Sequence, residues 1–149
     1  MYKYNHLNHF QIGKLGEYWA KIHLTLLGYD IYTSEVDDKG IDFIVRMNSE
    51  SYIDIQVKTV RSKTNYVFVT KESWKNKLRN NLFLILILLE DDHLPEMFYI
   101  PAIDWASPNE LLKDRNYLKP GQTSKPEWGI NISGKNKKIL KKYNSFNPK

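Results

Sequence analysis

Eight consecutive residues, Leu82–Leu89, are all Leu, Ile or Phe. No polar residue breaks the run, so a strand made from it has protein on both faces and belongs in the middle of a sheet. The run is far short of the about 20 residues that span a bilayer, and Met1-Tyr2-Lys3-Tyr4-Asn5-His6 lacks the apolar stretch of a secretory signal. A two-sided strand needs a layer above it and a layer below it. With 149 residues and 42% hydrophobic content the chain can bury one such core, and a single domain over residues 1–149 is expected. There are no cysteines, which removes disulfides, thiolate metal sites and cysteine nucleophiles, and fits a reducing, cytoplasmic compartment.

Elements of both kinds alternate around this strand. Ile12, Leu15, Trp19, Ile22 and Leu26 recur at helical spacing and Gly28 follows as a breaker, so the spacing predicts a helix over 10–27. Strands are predicted at 29–34, 41–46, 52–59, 66–70, 97–100 and 129–132, with a basic turn or short helix over 71–80. Pro108-Asn109-Glu110 reads as the start of a brief helix through Leu112, and residues 133–149 read as a basic terminal helix or tail.

Two of these strands carry chemistry. Gly40-Ile41-Asp42-Phe43-Ile44-Val45-Arg46 and Tyr52-Ile53-Asp54-Ile55-Gln56-Val57-Lys58-Thr59 are separated by a polar turn and read as an antiparallel pair. In the second strand Ile53, Ile55 and Val57 point one way, and Asp54, Gln56 and Lys58 point the other. An acid, an amide and a lysine thus gather where they can meet around a cation, a combination suited to phosphodiester chemistry. Asp37-Asp38-Lys39 repeats the acid-x-lysine spelling, but in a turn rather than on an alternating strand. His6, His9, His23 and His93 form no zinc pattern.

Charge points to an anionic partner. The net charge is +5, and residues 58–79 hold Lys58, Arg61, Lys63, Lys71, Lys75, Lys77 and Arg79 against the single acid Glu72. Residues 133–149 add Lys135, Lys137, Lys138, Lys141, Lys142 and Lys149 with no acid. Arg61, Lys63, Lys71 and Lys75 are the candidate phosphate contacts, and Trp74, set among lysines, is the candidate for stacking on a base.

Glu17 within Gly16-Glu17-Tyr18-Trp19-Ala20, then Gly28-Tyr29-Asp30-Ile31-Tyr32, Gly40-Ile41-Asp42 and Gln56-Val57-Lys58-Thr59, in that order, resemble the PD-(D/E)XK nuclease superfamily. The likeness lies with its Holliday-junction-resolvase-like and restriction-endonuclease-like members and covers roughly the first half of the chain. It implies an α/β restriction-endonuclease-like core with a mixed central sheet flanked by helices. It also implies metal-dependent cleavage of DNA with Mg2+ or Mn2+ held by Glu17, Asp42 and Gln56, and Lys58 as catalytic base or charge stabiliser. Resolvase-like members act as homodimers, and the resemblance implies the same here. Gln56 departs from the motif, standing where an acid is usual, and Ile41 replaces the motif proline. Glu17, or Asp54 on the same strand face, would restore the missing negative charge. The competing class is a nuclease-fold module that binds nucleic acid or a protein partner without cutting, in a defence or mobile-element system.

Overall fold

A computed structural model of the chain describes residues 1–36 and 40–148. Strand β5 (Leu82–Leu89) is buried along its whole length, as its composition requires. Its alternate side chains feed two separate cores. Leu82, Leu84, Leu86 and Leu88 enter one, and Phe83, Ile85, Ile87 and Leu89 enter the other. Each such side chain contributes about 1.5–3 kcal/mol of burial free energy.

The central sheet has the order β1-β2-β3-β5-β6, with β1 (Asp30–Tyr32), β2 (Phe43–Arg46), β3 (Tyr52–Arg61) and β6 (Glu96–Pro101). It is mixed: β3 runs parallel to β5, and the other pairs are antiparallel. A parallel neighbour cannot be reached by a tight turn. The chain uses residues 62–81 for the crossover, and places β4 (Tyr66–Thr70) and a 3-10 turn, Glu72–Trp74, within it. β4 joins β7 (Leu112–Arg115) and β8 (Glu127–Asn131) in a second sheet of order β4-β8-β7. Val67, Val69, Leu112, Trp128 and Ile130 of that sheet close over the even-numbered side chains of β5.

The opposite face is covered by α1 (His9–Leu26). Asn8 and Gln11 cap its start reciprocally, each side chain accepting the other's backbone N–H at 2.9 Å. Gly28, at φ +93°, ends the segment in the left-handed region. Ile12, Gly16, Ala20 and Leu24, four apart, form the buried ridge. Gly16 is the point of closest approach to the sheet: a Cβ there would stand 1.7 Å from Thr59 Oγ1 and 2.9 Å from its Cγ2.

Two predicted elements differ from those observed. The expected helix over 108–112 is instead a turn that leads into the strand β7, because the Asn109 side chain accepts the N–H groups of Leu111 and Leu112 at 2.8 Å and turns the chain into the sheet. The expected basic terminal helix is a succession of short turns around α2 (Lys137–Leu140), anchored by buried Asn136, Leu140 and Phe146. Phe146 packs against Tyr29, Phe83 and Tyr99. Among the described residues, no helix is long and apolar enough to cross a membrane.

Gly16→Ala tests the α1–β3 contact. The methyl favours the helix by about 1 kcal/mol but must displace Thr59, so a net loss of about 1–3 kcal/mol is expected in urea unfolding. Thr59→Ala, which removes two of the three interfering side-chain atoms, Oγ1 and Cγ2, and keeps Cβ, should return part of that loss in the double variant.

Candidate active site

β2 begins at Phe43, and the residue before it, Asp42, serves the ladder with its side chain. The Asp42 N–H donates to the Ile55 carbonyl at 2.8 Å, and Asp42 Oδ2 accepts the Val57 N–H at 2.6 Å. The carboxylate is thereby fixed at the point where β2 parts from β3, against the middle of the alternating segment. Gly40, two residues earlier, has φ +85°, and a Cβ on it would fall 2.2 Å from the Ser73 carbonyl oxygen. Only glycine satisfies both conditions. This accounts for the Gly-Ile-Asp spelling of the segment.

On β3 the predicted alternation is realised. Ile53 and Ile55 are buried in the α1-side core, while Asp54, Gln56 and Lys58 point to the other face. Asp54 is committed to Arg79 (2.5 Å). Gln56 Oε1 accepts the indole N–H of Trp74 at 2.5 Å, which fixes the orientation of the amide. Lys58 is partly buried, and burial pushes its ammonium below the usual lysine range; the Asp42 carboxylate opposes that shift without cancelling it.

An open cleft flanks this group on both sides. One lobe, of about 630 Å³, is lined by Asp42, Tyr32, Tyr52, Lys75 and Arg79. The other, of about 410 Å³, is lined by Gln56, Lys58, Tyr66, Phe68 and Thr70. Ser73 borders both. Lys75 and Asn76 follow it with φ of 55° and 56°. Two successive left-handed residues without glycine cost about 1–2 kcal/mol each. Hydrogen bonds from the N–H groups of Lys75, Asn76 and Lys77 to Glu72, Lys71 and Trp74 hold the turn.

Asp42 and Lys58 are thus brought together, with Gln56 beside Lys58 on one strand face. Glu17 lies on α1, in ion pairs with Lys21 (3.2 Å) and Lys14 (3.4 Å). The Lys21 ammonium also sits 5.5 Å from the centroid of the Phe43 ring, next in sequence to Asp42. Among the described residues, no three of His, Cys, Asp and Glu converge as a metal cluster. Asp42 and Gln56 offer oxygen alone, a carboxylate and an amide, donors that suit Mg2+ or Mn2+ and not a soft metal. The rival acids Asp37 and Asp38, with Lys39, lie outside the described residues.

The expected nucleic-acid contacts need correction. Trp74 is fully buried, packed between Trp105 and Trp128 with ring centroids 5.6 Å away, and has no face to offer a base. Arg61 donates to the carbonyls of Leu7 (2.7 Å) and Tyr4 (3.1 Å), pinning the N-terminal segment. Lys71 is held by Asp114 and Asn116 over the Trp128 ring. Lys63 and Lys75 remain exposed, as do Lys135, Lys137, Lys138, Lys141 and Lys142. Phe68, exposed in the cleft, was not singled out from sequence, although strict alternation in Tyr66-Val67-Phe68-Val69-Thr70 puts it opposite the two core valines.

The mixed sheet and the helix across one face define a restriction-endonuclease-like fold. The chain is similar in structure to Hjc, a Holliday junction resolvase from the archaeal hyperthermophile Archaeoglobus fulgidus. The TM-score is 0.51 at 16% identity, over 80% of this chain and 83% of that one. The bacterial homing endonuclease I-Ssp6803I superposes with a TM-score of 0.49 at 13% identity, over 80% of this chain and 89% of the other. No protein-family model and no curated protein matches the sequence.

The lowered Lys58 pKa has a signed consequence. The unfolded chain binds the proton more tightly, so stability rises with pH between the lowered folded value and the usual lysine value of 10.5. Lys58→Met should therefore be more stable than the natural protein at pH 7 in urea unfolding. That advantage should shrink as pH is raised toward 10; an advantage independent of pH would show that Lys58 folds without a buried-charge cost.

Proposed function

We propose that the chain is a divalent-metal-dependent nuclease that hydrolyses phosphodiester bonds in DNA. The observation that carries this reading is the partly buried Lys58 in the field of the fixed Asp42 carboxylate, beside an open cleft. Asp42 and the Gln56 amide oxygen would hold Mg2+ or Mn2+, with Glu17 as the supplementary carboxylate; Gln56 Oε1 keeps a second lone pair beyond the one that Trp74 uses. Bound there, the ion would supply an acidified water and charge neutralisation at the phosphate. Lys58 then acts as the base that takes or steers the water's proton, a role aided by its lowered proton affinity, or it neutralises the charge that develops on the phosphate oxygens. Lys63 and Lys75 would contact the flanking phosphates.

The reading is tested by cleavage of linear and four-way-junction DNA with Mg2+ or Mn2+. Asp42→Asn and Lys58→Ala should each lower the rate by 100-fold or more, on the order expected for loss of a metal ligand or a general base. Undiminished cutting by both variants would remove the site. Gln56→Glu should tighten Mn2+ binding by about tenfold in calorimetry, because a carboxylate replaces a neutral oxygen.

Gln56 itself favours a second reading, a nuclease-fold module that binds nucleic acid or a partner without cutting. Metal-independent DNA binding with no cleavage of any substrate would select it.

The homodimer belongs to the proposal as well. It is supported by Phe10, Tyr18, Ile22 and Leu26, an exposed apolar row on α1 at spacings of four and eight, the type of ridge along which helices pack. Ile22→Lys should convert a dimer to a monomer in sedimentation, and an unchanged dimer would place the interface elsewhere.

A further inference from the structure

With Trp74 in the interior, the aromatic surface nearest Lys58 is on β4. Alternation sends Val67 and Val69 into the core and leaves Tyr66, Phe68 and Thr70 on the outer face. Phe68 is 45% exposed, a large apolar side chain open to solvent beside the candidate site.

Its neighbour is held in place from three sides. Tyr66 lies over Gly129, where a Cβ would come within 1.9 Å of the phenol oxygen. The phenol donates to the carboxylate of Glu127, itself only 4% exposed. The Arg115 guanidinium stacks on the Tyr66 ring, 4.2 Å from its centroid. The Phe68 ring is 6.1 Å from that of Tyr66 and within 24° of parallel to it. Both rings line the same lobe of the cleft as Gln56 and Lys58.

We propose that Phe68, backed by Tyr66, is a stacking platform for an unpaired nucleobase next to the phosphate held at Lys58, so that the substrate is nucleic acid with unstacked nucleotides at the point of attack. This rests on the nuclease reading of the Lys58 site. A base inside a duplex has its faces covered by its neighbours and shows only its edges; an unpaired base can turn a face to an aromatic ring. The lobe, at about 410 Å³, has room for a base and its sugar. The surroundings match a polyanion rather than an apolar peptide: Lys58 stands on one side, and Lys113 is in register with Phe68 across Gly129, beside Arg115.

The test uses the full chain and a DNA duplex carrying 2-aminopurine, either fully paired or within a three-nucleotide bubble. Binding is read by fluorescence in EDTA, and cleavage is read with Mg2+. The natural protein should bind the bubble about tenfold more tightly than the duplex, quench its fluorescence, and cut it preferentially. Phe68→Ala should lose that tenfold preference and the quenching while keeping its affinity for the duplex and its unfolding midpoint, and Phe68→Tyr should keep both. Retention of the preference by Phe68→Ala, or its absence in the natural protein, overturns the platform even where DNA is cut. Conversely, Phe68-dependent binding and quenching without cleavage of any DNA would sustain the platform and remove the nuclease reading.

Discussion

β3 is paired to β5 in parallel over eight positions, from Asp54 opposite Leu82 to Arg61 opposite Leu89, and β5 is immobilised by burial on both faces. Every group of the candidate site is hung from that fixed strand. The Val57 N–H holds the Asp42 carboxylate, Gln56 receives the Trp74 indole, and Thr59 seats α1 at Gly16. A displacement of β3 by a fraction of an ångström would move the acid, the amide and the helix together. Sites built on core strands gain their precision in this way.

What is costly to the fold lies on β3 and in the crossover that follows it. Lys58 is a charge drawn out of water, and the two left-handed residues at Lys75 and Asn76 store backbone strain at the edge of the cleft. Neither helps the chain to fold, and both sit around the cleft between the two sheets. The apolar faces of β5 and the three-tryptophan cluster of Trp74, Trp105 and Trp128 offset them from within. Stability is thus concentrated in the layer directly beneath the polar groups that diminish it.

Periodicity made β3 and β5 legible in the sequence, because each shows its burial pattern within its own residues; it gave α1 as a helix but not its buried face, which is Ile12, Gly16, Ala20 and Leu24 and leaves Ile22 and Leu26 exposed. The order of Glu17, Asp42, Gln56 and Lys58 pointed to the fold through its resemblance to a known motif. Illegible were roles set by distant partners. Arg61 and Lys71 look like free bases until Leu7 and Asp114 are brought to them, 54 and 43 residues away. Trp74 looks like a surface aromatic because its neighbours in sequence are lysines, yet its neighbours in space are two tryptophans and Gln56. The misread helix after Pro108 has a local cause. Asparagine at position 109 caps backbone N–H groups either to begin a helix or to close a turn, and the nearby sheet edge decided between them.

The Trp74–Gln56 hydrogen bond has a bearing on how the cleft fills. An amide at position 56 leaves the resting site one negative charge short of the usual acid, with two N–H donors and one spare lone pair. Such a site attracts a phosphate more strongly, and a bare cation less, than a pair of carboxylates would. In the proposed reaction Gln56 would therefore favour nucleic acid settling at the site ahead of the cation, with phosphate oxygens supplying the negative charge that the amide lacks.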